Sequence, residues 1–137
     1  MEKLYHTEII NNNGTDGDVE IVGGMAYTVS SPLKEGQEGL NPEQLMGMAW
    51  STCLNATLIS LLKGRAQAHL KSRVRVIVDM MKEQDMPGYY FRMKAIVAVE
   101  TFDTNKTMKL ALQSDKYCPV SKLIQGNPHL SIEVEAY

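Results

Sequence analysis

Residues 42–62 leave this chain little choice of architecture. Leu45, Met46, Met48, Trp50, Leu54, Leu58, Ile59 and Leu62 fall on every side of a helical wheel rather than along one stripe. A surface helix keeps a polar face, so this segment is expected to be the buried axis of a domain. Its ends are marked. Asn41 predicts an N-cap, Pro42 suits the first helical position, and Gln44 is placed to close a capping box. Gly64 predicts the C-terminal stop. Ser51, Thr52, Asn55, Thr57 and Ser60 interrupt the apolar run too often for a membrane span. Cys53 sits in the middle of the helix, and any reading of function has to account for it.

The flanking sequence predicts sheet on both sides. Short strands are expected over 5–10, 18–22 and 25–31, joined by the Asn- and Gly-rich run 11–17 and by Gly23-Gly24. Residues 32–40 form a loop that feeds the helix. Beyond it, 72–83 and 89–100 alternate as a hairpin about Met86-Pro87-Gly88. Thr104 or Asn105 caps a helix to Lys116, Ser121 to Gln125 add a helical turn, and Leu130 to Ala136 alternate as a last strand. The fold class is α+β, with curved antiparallel sheets packed around the long buried helix. A chain of 137 residues suffices for one domain, 1–137, and is short for two.

Composition narrows the functions. Fourteen basic residues against sixteen acidic ones offer no basic stripe for nucleic acid. Met1-Glu2-Lys3-Leu4-Tyr5 lacks the apolar core of an export signal, and with two cysteines this points to the reducing cytoplasm. Nine methionines against two phenylalanines read as adaptable core filling. His6, His69 and His129 stand at no metal-ligand spacing, so no metal is expected. Gly14, Gly17, Gly23 and Gly24 lack the strand–loop–helix setting of a phosphate cradle.

Cys53 and Cys118 lie sixty-five residues apart, which excludes a local zinc spacing. Two readings stay open from the residues alone. The pair are either inert buried thiols or a peroxide-reducing couple, in which one thiolate is oxidised to a sulfenic acid and the other closes a disulfide. Cys53 lies mid-helix, so its thiolate must be favoured by side chains brought from elsewhere.

Asn41-Pro42-Glu43-Gln44-Leu45 with Cys53 ten residues after the glutamate, followed by Cys118-Pro119-Val120-Ser121-Lys122, resembles the osmotically inducible protein C / organic hydroperoxide resistance family. The likeness extends over nearly the whole chain in element order. It implies an intertwined homodimer with two active sites at the subunit interface, acting in the cytoplasm as a thiol-dependent peroxidase on organic hydroperoxides. Cys53 would be the peroxidatic thiol, Cys118 the resolving thiol and Glu43 the acidic partner. Dithiols, including lipoylated proteins, would be the reductant, with no metal or organic cofactor, no nucleic acid and no membrane involved.

Helix geometry constrains Glu43 independently. Ten helical residues separate it from Cys53 by roughly 15 Å along the axis, so a Glu43 that serves Cys53 is expected from a second subunit. As an acid in the first helical turn it also complements the macrodipole. Trp50, Met46 and Met48 could wall an apolar peroxide pocket, or simply pack in the core. One position departs from the family. Where the hydroperoxide reductases carry an arginine in the first turn, Asn13-Gly14-Thr15-Asp16-Gly17 has Thr15, which can neither stabilise a thiolate nor grip Glu43 through a forked pair of hydrogen bonds. Arg65, Arg73, Arg75, Arg92 and Lys122 are the substitutes considered. The alternative that follows is a ligand-binding or scaffold protein of this fold with little peroxidase activity.

Overall fold

A computed structural model describes residues 1–36 and 38–137. The expected loop over 32–40 contains Gln37, which lies outside the described residues. The chain forms two compact units, Met1–Leu45 and Met46–Tyr137.

The first unit carries an antiparallel meander of β1 (Ile9–Asn11), β2 (Asp18–Ile21) and β3 (Ala26–Thr28), with Ile9 opposite Ile21 and Val19 opposite Tyr27. The strands are shorter than the sequence predicts. Asn11 is part of β1 and also builds the turn after it: Gly14 N–H donates to its Oδ1 at 2.7 Å and its Nδ2 donates to Gly14 O at 2.8 Å. At the end of β3, Leu40 N–H donates to Thr28 O at 2.9 Å. Gly39, at φ +149°, lies so close to this strand that a Cβ would stand 2.8 Å from Thr28 O. Only glycine lets the loop approach that far.

α1 (Pro42–Gly64) begins as expected. Asn41 Oδ1 accepts from Gln44 N–H at 2.8 Å and Gln44 Oε1 accepts from Asn41 N–H at 2.9 Å, which closes the capping box. The other end differs. Gly64 is still helical, and the left-handed residue is Ala66 at φ 57°. Gln67 N–H donates to Leu62 O and Ala66 N–H to Lys63 O, the pair of bonds that defines a Schellman end.

In the second unit β4 (Ser72–Lys82) and β5 (Tyr89–Val99) pair antiparallel along all eleven residues, from Ser72 opposite Val99 to Lys82 opposite Tyr89. α2 (Thr104–Tyr117) and α3 (Pro119–Ile124) follow. The cap of α2 is Asp103, one residue before the expected Thr104 or Asn105; its carboxylate accepts from Lys106 N–H at 2.8 Å. β6 (Leu130–Val134) then joins β5 in parallel, so the sheet is mixed and not antiparallel throughout. The reason is the connection. Two helices carry the chain back along β5, and such a crossover, unlike a tight turn, returns a strand in the same direction.

Trp50, Leu54, Leu58 and Leu62, one turn apart on α1, are buried with Met93, Ala95, Val97 and Val99 of β5 and Leu110 and Ala111 of α2. Each buried Leu, Val or Met among them contributes about 1.5–3 kcal/mol by leaving water. Gly47 brings α1 down onto β4, where a Cβ would meet Val78 at 3.4 Å. The expected burial holds for this face of α1. Leu45, Met48 and Ile59, elsewhere on the helix, remain 36%, 50% and 48% exposed.

The outer face of the β4–β5–β6 sheet carries the charges. Glu135, just past β6, accepts a forked pair from Arg75 (3.0 and 2.8 Å) and a further bond from Arg73 (3.0 Å). The Arg75 hydrogen bond above all, helped by Arg73, holds its carboxyl at about 2 against an ordinary 4.5. Because the folded value is depressed, this contribution to stability is complete above pH 4.5 and is lost as the pH falls towards about 2.

Two outcomes are expected. Ala66→Gly relieves the left-handed strain of an L-residue and should raise stability by about 1 kcal/mol in urea denaturation; an unchanged midpoint would contradict the Schellman assignment. Glu135→Gln should flatten the fall in thermal stability between pH 4.5 and about 2, and a variant as acid-sensitive as the parent would show that the arginine pair contributes nothing there.

Candidate functional site

Cys118 occupies the joint between α2 and α3. Its N–H closes α2 on Ser114 O at 2.9 Å, and its Sγ accepts from Ser121 N–H at 3.4 Å as the N-cap of α3. Pro119 explains the break. A residue before proline is pushed out of the helical region, and Cys118 sits at φ −65°, ψ 121°. Proline itself suits the first position of the next helix. The thiol is fully enclosed.

Cys53 faces this joint from α1. It is partly exposed, and its thiol meets the Cys118 thiol and the backbone at Val120. Both cysteines are free. Burial pushes the Cys53 pKa above the ordinary cysteine value; the hydrogen bond from the Val120 backbone pulls it down, and Cys118, through a hydrogen bond and its charge, pushes it up again. No cation figures among these influences.

The four arginines considered as substitutes for the missing arginine are engaged elsewhere. Arg73 and Arg75 hold Glu135, Arg92 holds Asp79 at 2.9 Å, and Arg65 bonds the side chain of Gln113. Lys122 lies exposed on α3. Thr15 lies half-buried in the turn between β1 and β2. Among the described residues no three His, Cys, Asp or Glu side chains gather as metal ligands.

Glu43 lies in the first turn of α1, only 8% exposed, and among the described residues neither carboxylate oxygen has a hydrogen-bond partner. Buried carboxylates are held by donors in nearly all folded proteins, so this one is an incomplete interaction. The ten residues of helix between Glu43 and Cys53 keep the two apart in one chain by roughly 15 Å. The structure brings Cys53 and Cys118 together.

Of the expected pocket wall, Met46 packs against the core, Met48 is exposed, and Trp50 is fully buried. Trp50 Nε1–H donates to Ser121 Oγ at 2.9 Å. From the sequence, Ser121 is named only within the second motif and at the start of a helical turn, with no role at the site. Its one signal was its place three residues after Cys118, where its N–H meets a capping side chain.

Comparison with known proteins places the chain. Residues 34–133 match the OsmC-like protein family. A Staphylococcus epidermidis relative named organic hydroperoxide resistance protein-like 2 is 26% identical, with 97% of this chain and 96% of that protein aligned. The organic hydroperoxide resistance protein OhrB of Bacillus subtilis is 28% identical over 96% of this chain and 98% of its own. A crystal structure of a candidate redox protein from Lactobacillus casei superposes with a TM-score of 0.90 at 34% identity, covering 99% of this chain and 94% of that one.

Alkylation of Cys53 by iodoacetamide should therefore rise with pH about a midpoint above the ordinary value of 9.0, and Cys118→Ser, which removes a neighbour that raises the pKa, should lower that midpoint. Mass spectrometry of the alkylated peptide reads both, and a midpoint below the ordinary value would show a cation at Cys53 that one chain does not supply.

Proposed function

Because the chain belongs to the OsmC-like protein family, we propose that it is a thiol-dependent peroxidase that reduces organic hydroperoxides. The observation that carries the reading is the meeting of Cys53 and Cys118, which come from separate elements sixty-five residues apart. The Cys53 thiolate attacks the peroxide oxygen and the O–O bond breaks, leaving a Cys53 sulfenic acid and an alkoxide that takes up a proton to become the alcohol. Cys118 then attacks the sulfenic sulfur, forming the Cys53–Cys118 disulfide and releasing water. A dithiol, of which a lipoylated protein is one source, reduces the disulfide by exchange and is itself oxidised. The proposed cycle uses no metal and no organic cofactor.

The working unit in this proposal is a homodimer in which residues 1–137 of each copy act as one domain. The exposed apolar residues of α1 and the Glu43 carboxylate, which has no hydrogen-bond partner among the described residues, support it. A second copy would cover the first and bring Glu43 to a Cys53 across the interface. Although α1 is long and apolar enough to cross a membrane by length and composition, the proposal places it in the core of a cytoplasmic protein. A second reading, a binding or scaffold protein with little turnover, is favoured by one observation: burial pushes the Cys53 pKa up rather than down, and the resemblance puts Thr15 at the family's arginine position.

Titrating the reduced protein with cumene hydroperoxide and with hydrogen peroxide decides between them. The peroxidase should lose two thiols per chain, yield a Cys53–Cys118 disulfide by mass, prefer the organic peroxide and fall silent in Cys53→Ser. Thr15→Arg should then speed thiol loss by roughly tenfold, the worth of one pKa unit. Thiols that persist through excess peroxide in both parent and Thr15→Arg would leave the binding reading.

A further inference from the structure

We propose that Trp50 is a positioning residue for disulfide closure: its indole N–H, through Ser121, holds the first turn of α3 so that the Cys118 thiol stays aimed at Cys53. The proposal rests on the thiol-couple reading above and concerns its second step. Trp50 and Cys53 lie three residues apart on α1, which makes them neighbours on one helix face. Each reaches the start of α3. Cys53 meets Cys118 and Val120, and Trp50 Nε1–H donates to Ser121 Oγ at 2.9 Å. Ser121 is the residue that returns its N–H to Cys118 Sγ, at 3.4 Å. Trp50, Ser121 and Cys118 are 1%, 3% and 0% exposed, so water does not compete for these bonds.

The chemistry gives the arrangement its purpose. Closure requires the two sulfurs to approach to about 2.05 Å with a narrow range of dihedral angle. α3 has only six residues, too few to hold its own orientation. A buried indole N–H also needs an acceptor, and the hydroxyl of Ser121 is that acceptor. Beside the same two residues lies a cavity of about 310 Å³, lined by Trp50, Ser121, Ile124 and Leu130 among others.

Trp50→Phe removes the donor and keeps an aromatic ring; Ser121→Ala removes the acceptor; Ser121→Thr keeps it. After one equivalent of cumene hydroperoxide, the rate of Cys53–Cys118 closure is compared with the rate of sulfenic acid formation, trapped with dimedone and read by mass. The ratio of closure to attack should fall roughly five- to tenfold in Trp50→Phe and Ser121→Ala, the size of one net buried hydrogen bond, and recover in Ser121→Thr. Trp50 is the sole tryptophan, so its emission should change on closure in the parent and stay constant in Cys118→Ser.

Closure driven by diamide, a two-electron oxidant of dithiols, is measured in parallel and does not depend on peroxide chemistry. A parent that ignores peroxide yet closes with diamide faster than Trp50→Phe and Ser121→Ala would sink the peroxidase reading and retain the positioning role. Closure at the parental rate in both variants, with either oxidant, would overturn the proposal. Ser121→Ala decides it alone if Trp50→Phe does not fold.

Discussion

A helix with apolar residues on every side needs apolar cover, and most of the second unit is built to supply it. The sheet, α2 and α3 cover the side of α1 that carries Trp50, Leu54, Leu58 and Leu62. The side with Leu45, Met48 and Ile59 stays open. Cys53 lies between these extremes, enclosed enough to be desolvated and exposed enough to be reached. A thiol on the fully covered face would be inert, and one on the open face would have no partner.

The partner arrives through a proline. Pro119 ends α2, begins α3 and forces the residue before it into an extended conformation. One dipeptide thereby turns the end of a surface helix into a fixed point at which a thiol, a backbone N–H and a serine hydroxyl all face α1. Burial then works against the chemistry by disfavouring the Cys53 thiolate, and the backbone at Val120 offsets only part of that cost. The family's arginine would be the natural counterweight. On the proposed reading, Thr15 in place of that arginine makes this chain a test of how much peroxidase activity the cysteine pair supplies by itself.

Local signals in the sequence were reliable where the physics is local. The Asn41–Gln44 capping box, the hairpin about Met86-Pro87-Gly88 and the span of α2 depend on residues a few positions apart, and each is found where the residues predict it. Misses came from two sources. At element ends several residues compete: Ala66 accepted a left-handed conformation that Gly64 was better suited to take, and Asp103 outcompeted Thr104 as a cap. Pairings across long stretches of chain leave no local trace, which is why the parallel direction of β6 and the Trp50–Ser121 bond, seventy-one residues apart, emerge only in three dimensions. Both cysteines were marked in the sequence by two spaced motifs, whereas their proximity and the lack of a hydrogen-bond partner for Glu43 among the described residues were not.

The enclosure of Cys118 has a consequence for how such a molecule would wear out. Oxidants and electrophiles from solution reach Cys53 first, since its neighbour has no exposed surface. Damage beyond the sulfenic stage would therefore accumulate on one sulfur alone, as an irreversible sulfinic or sulfonic acid. The buried thiol would survive chemically intact beside it. Ageing of the protein under oxidative load would then appear as a single, site-specific lesion of fixed mass, with the number of disabled sites equal to the number of lost Cys53 thiols.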